Sequence, residues 1–132
     1  MIQSILVSNL VLKLLERNEA LNNYIHGRVF PIVADLGTEF PYVAYSRTYI
    51  TPIYTKDYYT EDSVGVEIIG ASQDYLESLE IANIIREQFE CKKLSLDDDI
   101  TIYQAILTSV TEAYDDQANA YIQKLSFDFK VR

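Results

Sequence analysis

The chain has 132 residues, 48% of them hydrophobic and 23% charged, enough for one core, so one domain is expected to span residues 1–132. Twenty acidic against eleven basic residues leave a net charge of −9, which excludes a surface built to displace counterions from nucleic-acid phosphates. The lone cysteine, Cys91, cannot close an internal disulfide and suits a reducing cytoplasm or a particle assembled there.

Along the chain, the apolar run at residues 5–15 has no basic flank or cleavage site and is too short to span a bilayer. Its apolar positions fall at 2, 5, 6, 10 and 14 and at 7, 11 and 15, a broad face suited to docking a helix on a sheet. Asn18 offers a cap for a second short helix that ends at Gly27. "GRVFPIV" reads as a short strand that Pro31 confines to an edge or a bulge. "PYVAYSRTYI" reads as a second strand, with Val43, Tyr45, Arg47 and Tyr49 on one face and Tyr42, Ala44 and Ile50 on the other.

Residues 51–62 turn polar and read as a long loop or the extended tip of a hairpin. "SVGVEIIGA" then alternates, with Val64, Val66 and Ile68 inward. "SQDYLESLEIANIIREQFE" is the main helix, with Ser72 as its cap and Tyr75, Leu79, Ala82, Ile85 and Phe89 forming one apolar side, with Ile81 beside them. A strand around residues 100–111 and a turn, "EAYDDQANA", follow. The closing segment "LSFDFKVR" alternates most plainly, with Leu125, Phe127, Phe129 and Val131 on one face. The order predicts an α+β domain: a mainly antiparallel sheet of four to five strands with two main helices packed on one face.

Candidate chemistry is sparse. His26, the one histidine, sits in a turn with no nucleophile or orienting carboxylate near it in sequence. Cys91 follows a helix C-terminus, where the dipole disfavours a thiolate. Asp97, Asp98 and Asp99, and the pair Asp115 and Asp116, lack the alternating ligands, glycine and terminal Glu of a calcium loop. Four glycines, never spaced as G-x-G, build no phosphate cradle. No catalytic residue, metal ligand or cofactor site is therefore assigned. Tyr42, Tyr45 and Tyr49 fit strand packing. Tyr54, Tyr58 and Tyr59 lie among Lys56, Asp57, Glu61 and Asp62, where tyrosine's large area and polar tip suit a subunit or partner interface.

"YIHGRVFPIVADLGTEFPYVAYSRT" resembles the N-terminal pattern of the tail-completion family of long-tailed phages. Gly27, Arg28, Val29, Phe30 and Pro31 match its "G-R-V-[YF]-P" strand, and Pro41, Tyr42, Val43, Ala44 and Tyr45 match its "P-Y-V-V/A-Y". The element order fits nearly the whole chain. One departure is "NAYIQK", where many members keep a basic residue. The resemblance implies a non-enzymatic virion protein, made in the bacterial host cytoplasm, that forms a ring, typically a hexamer, completing the tail. Its implied partners are other copies of itself, the tail-tube protein and the head–tail connector, with DNA passing through unbound and no membrane involved. On that reading, the interface is expected at Tyr54, Lys56, Asp57, Tyr58 and Tyr59. Some of Asp97, Asp98, Asp99, Asp115 and Asp116 are expected to face the channel, where carboxylates repel phosphate. A different connector or tail-tube component, or a small ligand-binding α+β domain, are the alternatives.

Overall fold

The computed structural model describes residues 4–55, 58–95 and 100–132. After a single 3-10 turn at Ser4–Leu6, the elements are α1 (Val7–Glu16), α2 (Glu19–Ile25), β1 (Val29–Pro31), β2 (Tyr42–Thr55), β3 (Tyr58–Ser72), α3 (Tyr75–Phe89), β4 (Ile102–Asp115) and β5 (Ala120–Val131). The strands form one sheet in the order β1-β2-β3-β5-β4. The α+β architecture is thus as expected: α1 packs on β2 and α3 on β3 and β5, while α2 rests against α3.

The core lies between helices and sheet. Val64, Val66 and Ile68 of β3 meet Phe129, Phe127 and Leu125 of β5 in register, and all six are at most 2% exposed. Phe89 of α3 closes over them, its ring centroid 5.7 Å from Phe127 and 6.1 Å from Phe129. Gly70 faces α3 so closely that a Cβ there would stand 2.8 Å from Ile81 Cγ2.

Several sequence expectations are corrected. The contact between β1 and β2 is parallel, because residues 32–41 carry the chain back to the start of the sheet before β2 begins. Of the two readings of residues 51–62, the structure shows the extended hairpin: residues 51–55 belong to β2 and 58–62 to β3, which stay paired as far as Thr55 and Tyr58. Thr and Tyr are good strand formers. A register shift between Arg47 and Tyr49 exchanges the expected faces of two residues. Ile50 lies opposite Val64 on the helix side, and Tyr49 opposite Gly65 on the other.

Helix expectations shift in a similar way. Asn18 does cap α2, its side chain accepting from Leu21 N at 3.1 Å. The cap of α3 is Asp74 rather than Ser72, accepting from Leu76 N at 3.2 Å. Ser72 instead receives the Asp74 N–H at 3.0 Å and donates to Glu77. The buried stripe of α3 is Ser78, Ile81, Ala82, Ile85 and Phe89, with Tyr75 and Leu79 left exposed. Because α1 starts only at Val7, its buried set is Val7, Leu10, Val11 and Leu15, and Ile5 and Leu6 are exposed. The turn before β5 shrinks to residues 116–119.

Replacing Phe127 by Asp is expected to abolish folding, since it leaves a carboxylate in the apolar core. Phe127→Ala is expected to fold with a loss of roughly 3–5 kcal/mol in urea unfolding.

Candidate assembly surfaces

The pairing of β5 with β3 ends at Asp62 and Val131, yet the β2–β3 hairpin continues. Residues 53–55 and 58–61 therefore project past β5 as a two-stranded arm about 10–13 Å long, at roughly 3.3 Å per residue. A bracket holds its base. Tyr103 donates its hydroxyl to Glu61, Arg132 Nε lies 3.8 Å from the same carboxylate, and the guanidinium sits 4.2 Å over the Tyr103 ring. The arm brings together three of the tyrosines expected at an interface. Tyr54 is exposed, and its backbone faces Tyr59 while Thr55 faces Tyr58. Lys56 and Asp57 lie outside the described residues.

The sheet face away from the helices carries a polar cluster that sequence reading missed. The Tyr49 ring lies flat over Gly65, where a Cβ would come within 2.1 Å of Tyr49 Cε2. Tyr49 then reaches two strands across to donate to Asp128 Oδ1 at 2.9 Å. Ser63 also donates to Asp128, while Lys130 Nζ stands 2.8 Å from Asp128 Oδ2 and donates to Ser63 Oγ at 2.9 Å. Burial alone would raise the Asp128 pKa, but the bonds from Lys130, Ser63 and Tyr49 outweigh it and hold the carboxyl below its ordinary value. The signal in the sequence was Gly65 within an otherwise β-branched strand.

The segment matched by "G-R-V-F-P" and "P-Y-V-A-Y" proves to be a clasp. Arg28 Nε donates to Pro41 O at 2.8 Å, its NH2 group reaches Phe40 O at 3.4 Å, and Val43 N donates to Arg28 O at 2.9 Å. The clasp closes a loop, residues 32–41, whose apolar side chains point outward. Ile32 (75%), Val33 (72%) and Leu36 (fully) are exposed. Ile32 adopts φ 65° between Pro31 O and Val33 N, which bond at 2.7 Å. That is a γ-turn of the strained class with a β-branched residue at its centre. Leu36 and Gly37 (φ 83°) form the corner of a turn closed by Thr38 N donating to Asp35 O at 3.1 Å.

At the opposite edge, β4 pairs with β5, and its start is covered on the outer side, where Ile102 bridges to Leu94 and Ala105 O accepts from Cys91 N at 2.9 Å; from Thr108 to Asp115 its side chains are exposed. A groove opens between it and α3, walled by Leu79, Ala82 and Arg86 and by Val110, with Leu125 at its floor. Asp115 and Asp116 are exposed at the end of β4. Asp115 Oδ1 accepts from Gln117 N at 3.0 Å and Ala118 N at 3.3 Å, so it shapes the turn. Asp97, Asp98 and Asp99 lie outside the described residues; β4 begins at Ile102, a full strand length from Asp115. His26 is the left-handed C-cap of α2, and Cys91 is exposed just beyond α3. The structure brings neither into a catalytic constellation. Among the described residues no group of three or more His, Cys, Asp or Glu could hold a metal ion, and no helix is long and apolar enough to cross a membrane.

A solved structure described as the virion of a native gene transfer agent (GTA) particle contains a similar chain. The likeness covers 92% of this chain and 90% of that one, with a TM-score of 0.71 and 13% identity. The fold is one that a virion particle contains. No protein-family model and no curated protein matches the sequence.

Two outcomes follow from the polar cluster. Gly65→Ala is expected to displace the Tyr49 ring and cost about 1–3 kcal/mol, and much less in a Tyr49→Ala background, a non-additivity that a double-mutant cycle in urea would measure. Since the folded Asp128 pKa is depressed, its stabilisation is complete above the ordinary Asp value of about 3.9 and fades as pH falls through the lower folded value. Asp128→Asn should therefore lower Tm near neutral pH and flatten its decline on the acid side.

Proposed function

We propose that this chain is a non-enzymatic structural protein of a phage or phage-like particle, and that it forms the ring that completes the tail tube and joins it to the head connector. The observation carrying this reading is the likeness, over nearly the full length of both chains, to a chain of a virion particle. The "G-R-V-F-P" and "P-Y-V-A-Y" match supports the finer assignment, since those residues build one clasp rather than scattered resemblances. The projecting hairpin and the exposed apolar loop are features that an assembling subunit uses and an isolated globule does not need. The acidic balance suits a joint through which DNA slides without stationary contacts.

The interface on this reading includes the arm with Tyr54, Lys56, Asp57, Tyr58 and Tyr59. Some of the carboxylates of Asp97, Asp98, Asp99, Asp115 and Asp116 are assigned to the channel side. Its partners are further copies of the chain, the tail-tube protein and the connector, and its place is the virion tail.

Native mass spectrometry from micromolar to millimolar concentration tests the ring. A closed oligomer of one size, expected to be a hexamer, supports the terminator; indefinite polymers overturn it in favour of a tube component. Replacing both Tyr58 and Tyr59 by Ala is expected to leave the subunit's Tm unchanged and weaken assembly. A loss of several degrees in the isolated subunit would place those side chains in the fold instead.

A further inference from the structure

Two exposed apolar features outside the arm, loop 32–41 and the α3–β4 groove, stand at opposite edges of one sheet and at the same level along the strands. Pro31 pairs with Tyr45, Tyr45 with Ile68, Ile68 with Leu125, and Leu125 with Val110. This cross-strand row starts beside Ile32, whose N–H donates to Tyr45 O at 2.6 Å, and ends at the β4 wall of the groove. Four strand spacings of about 4.8 Å separate the two ends. A neighbouring copy placed alongside, without sliding along the strand direction, would set its loop 32–41 against this groove.

Their chemistry is complementary. The loop "IVADLGTEFP" carries Asp35 and Glu39 and no basic residue, around the outward Ile32, Val33 and Leu36. The groove lining is apolar at Leu79, Ala82, Val110 and Leu125 and polar at Asn83 and Gln123, and its one charged member is Arg86, which is already ion-paired with Glu90, so Asp35 would join that pair rather than meet a lone cation. The loop is also held in place before any contact. Arg28 pins its return at Phe40 and Pro41, and the strained turn at Ile32 fixes its start. Backbone strain of this kind persists where the surroundings over-determine it and is concentrated at functional sites. A pre-organised apolar tip loses little entropy on docking.

We infer that loop 32–41 of one copy docks in the α3–β4 groove of the next, with Leu36 and Ile32 against Leu79 and Val110 and with Asp35 facing Arg86. The contact is heterologous: each copy offers a loop at one edge and a groove at the other, so repetition closes into a ring or runs on as a filament. The inference rests on the proposed ring for its closure, but the contact itself does not require that reading.

The test uses Leu36→Asp and Val110→Asp in the full chain. Both side chains are exposed, so circular dichroism and Tm should match the wild type. Each variant alone should associate at least tenfold more weakly by sedimentation. Mixed together they should stop at a dimer, because the Leu36→Asp copy keeps its groove and the Val110→Asp copy keeps its loop. Arg86→Asp should weaken association, and Asp35→Arg in the same chain should restore it. Closed rings unaffected by either Asp variant would overturn this contact and leave the terminator reading standing. Filaments that both variants abolish would support the contact and overturn the terminator. A wild-type chain that stays monomeric at millimolar concentration would overturn the docking of copies on each other and assign the groove to a different virion protein.

Discussion

The contact among Phe89, Phe127 and Phe129 is the one on which the rest of the fold depends. The three rings lie within 5.6–6.1 Å of one another, and they join α3 to β5 at the strand that pairs with both β3 and β4. Because β5 is held there, β3 must present Val64, Val66 and Ile68 to the helices. Because β3 is set, β2 follows in antiparallel register, and the β1 edge is carried with it. Aromatic pairs in such offset geometry add to their area burial, so the densest part of the core is also the part that fixes strand order.

That arrangement leaves the extremities of the sheet uncovered. The helices occupy one face only, and α3 is too short to cover all of β4. Exposed edges and apolar patches invite pairing with other chains, and proteins usually blunt them. Here β1 is blunted by its length and by Pro31, which has no N–H to offer. β4 is covered at its start by Cys91 and Leu94, and among the described residues keeps an open edge beyond Ala105 beside an apolar groove. The loop after β1 goes further and turns Ile32, Val33 and Leu36 outward. A fold arranged in this way leaves exposed apolar surface at both edges of its sheet.

The other sheet face is managed differently. Tyr49 spreads over Gly65, and its hydroxyl joins Ser63 and Lys130 around Asp128. The cluster ties β2, β3 and β5 together on the solvent side, opposite the phenylalanines. Polar satisfaction there does the work that a second layer of helices does in other folds.

Composition, periodicity and local capping preference by themselves determined the domain class, the alternation of β3 and β5, the Asn18 cap and the edge position of Pro31. Each of these follows from a local preference or from a period that one strand or helix displays on its own. Tertiary structure decided what depends on residues distant in sequence. The bulge near Thr48 exchanged the faces of Tyr49 and Ile50. The parallel pairing of β1 depended on a loop returning through Arg28. The buried side of α3 centred on Ile81, which Gly70 admits to the sheet, so that Ser78 is buried and Tyr75 and Leu79 are exposed. Between a loop and a hairpin tip, tertiary pairing decided for the hairpin, because residues 53–55 and 58–61 pair with each other past the end of β5. The level shared by Ile32 and Val110 exists only through four successive strand registers, and no single segment of the sequence contains it.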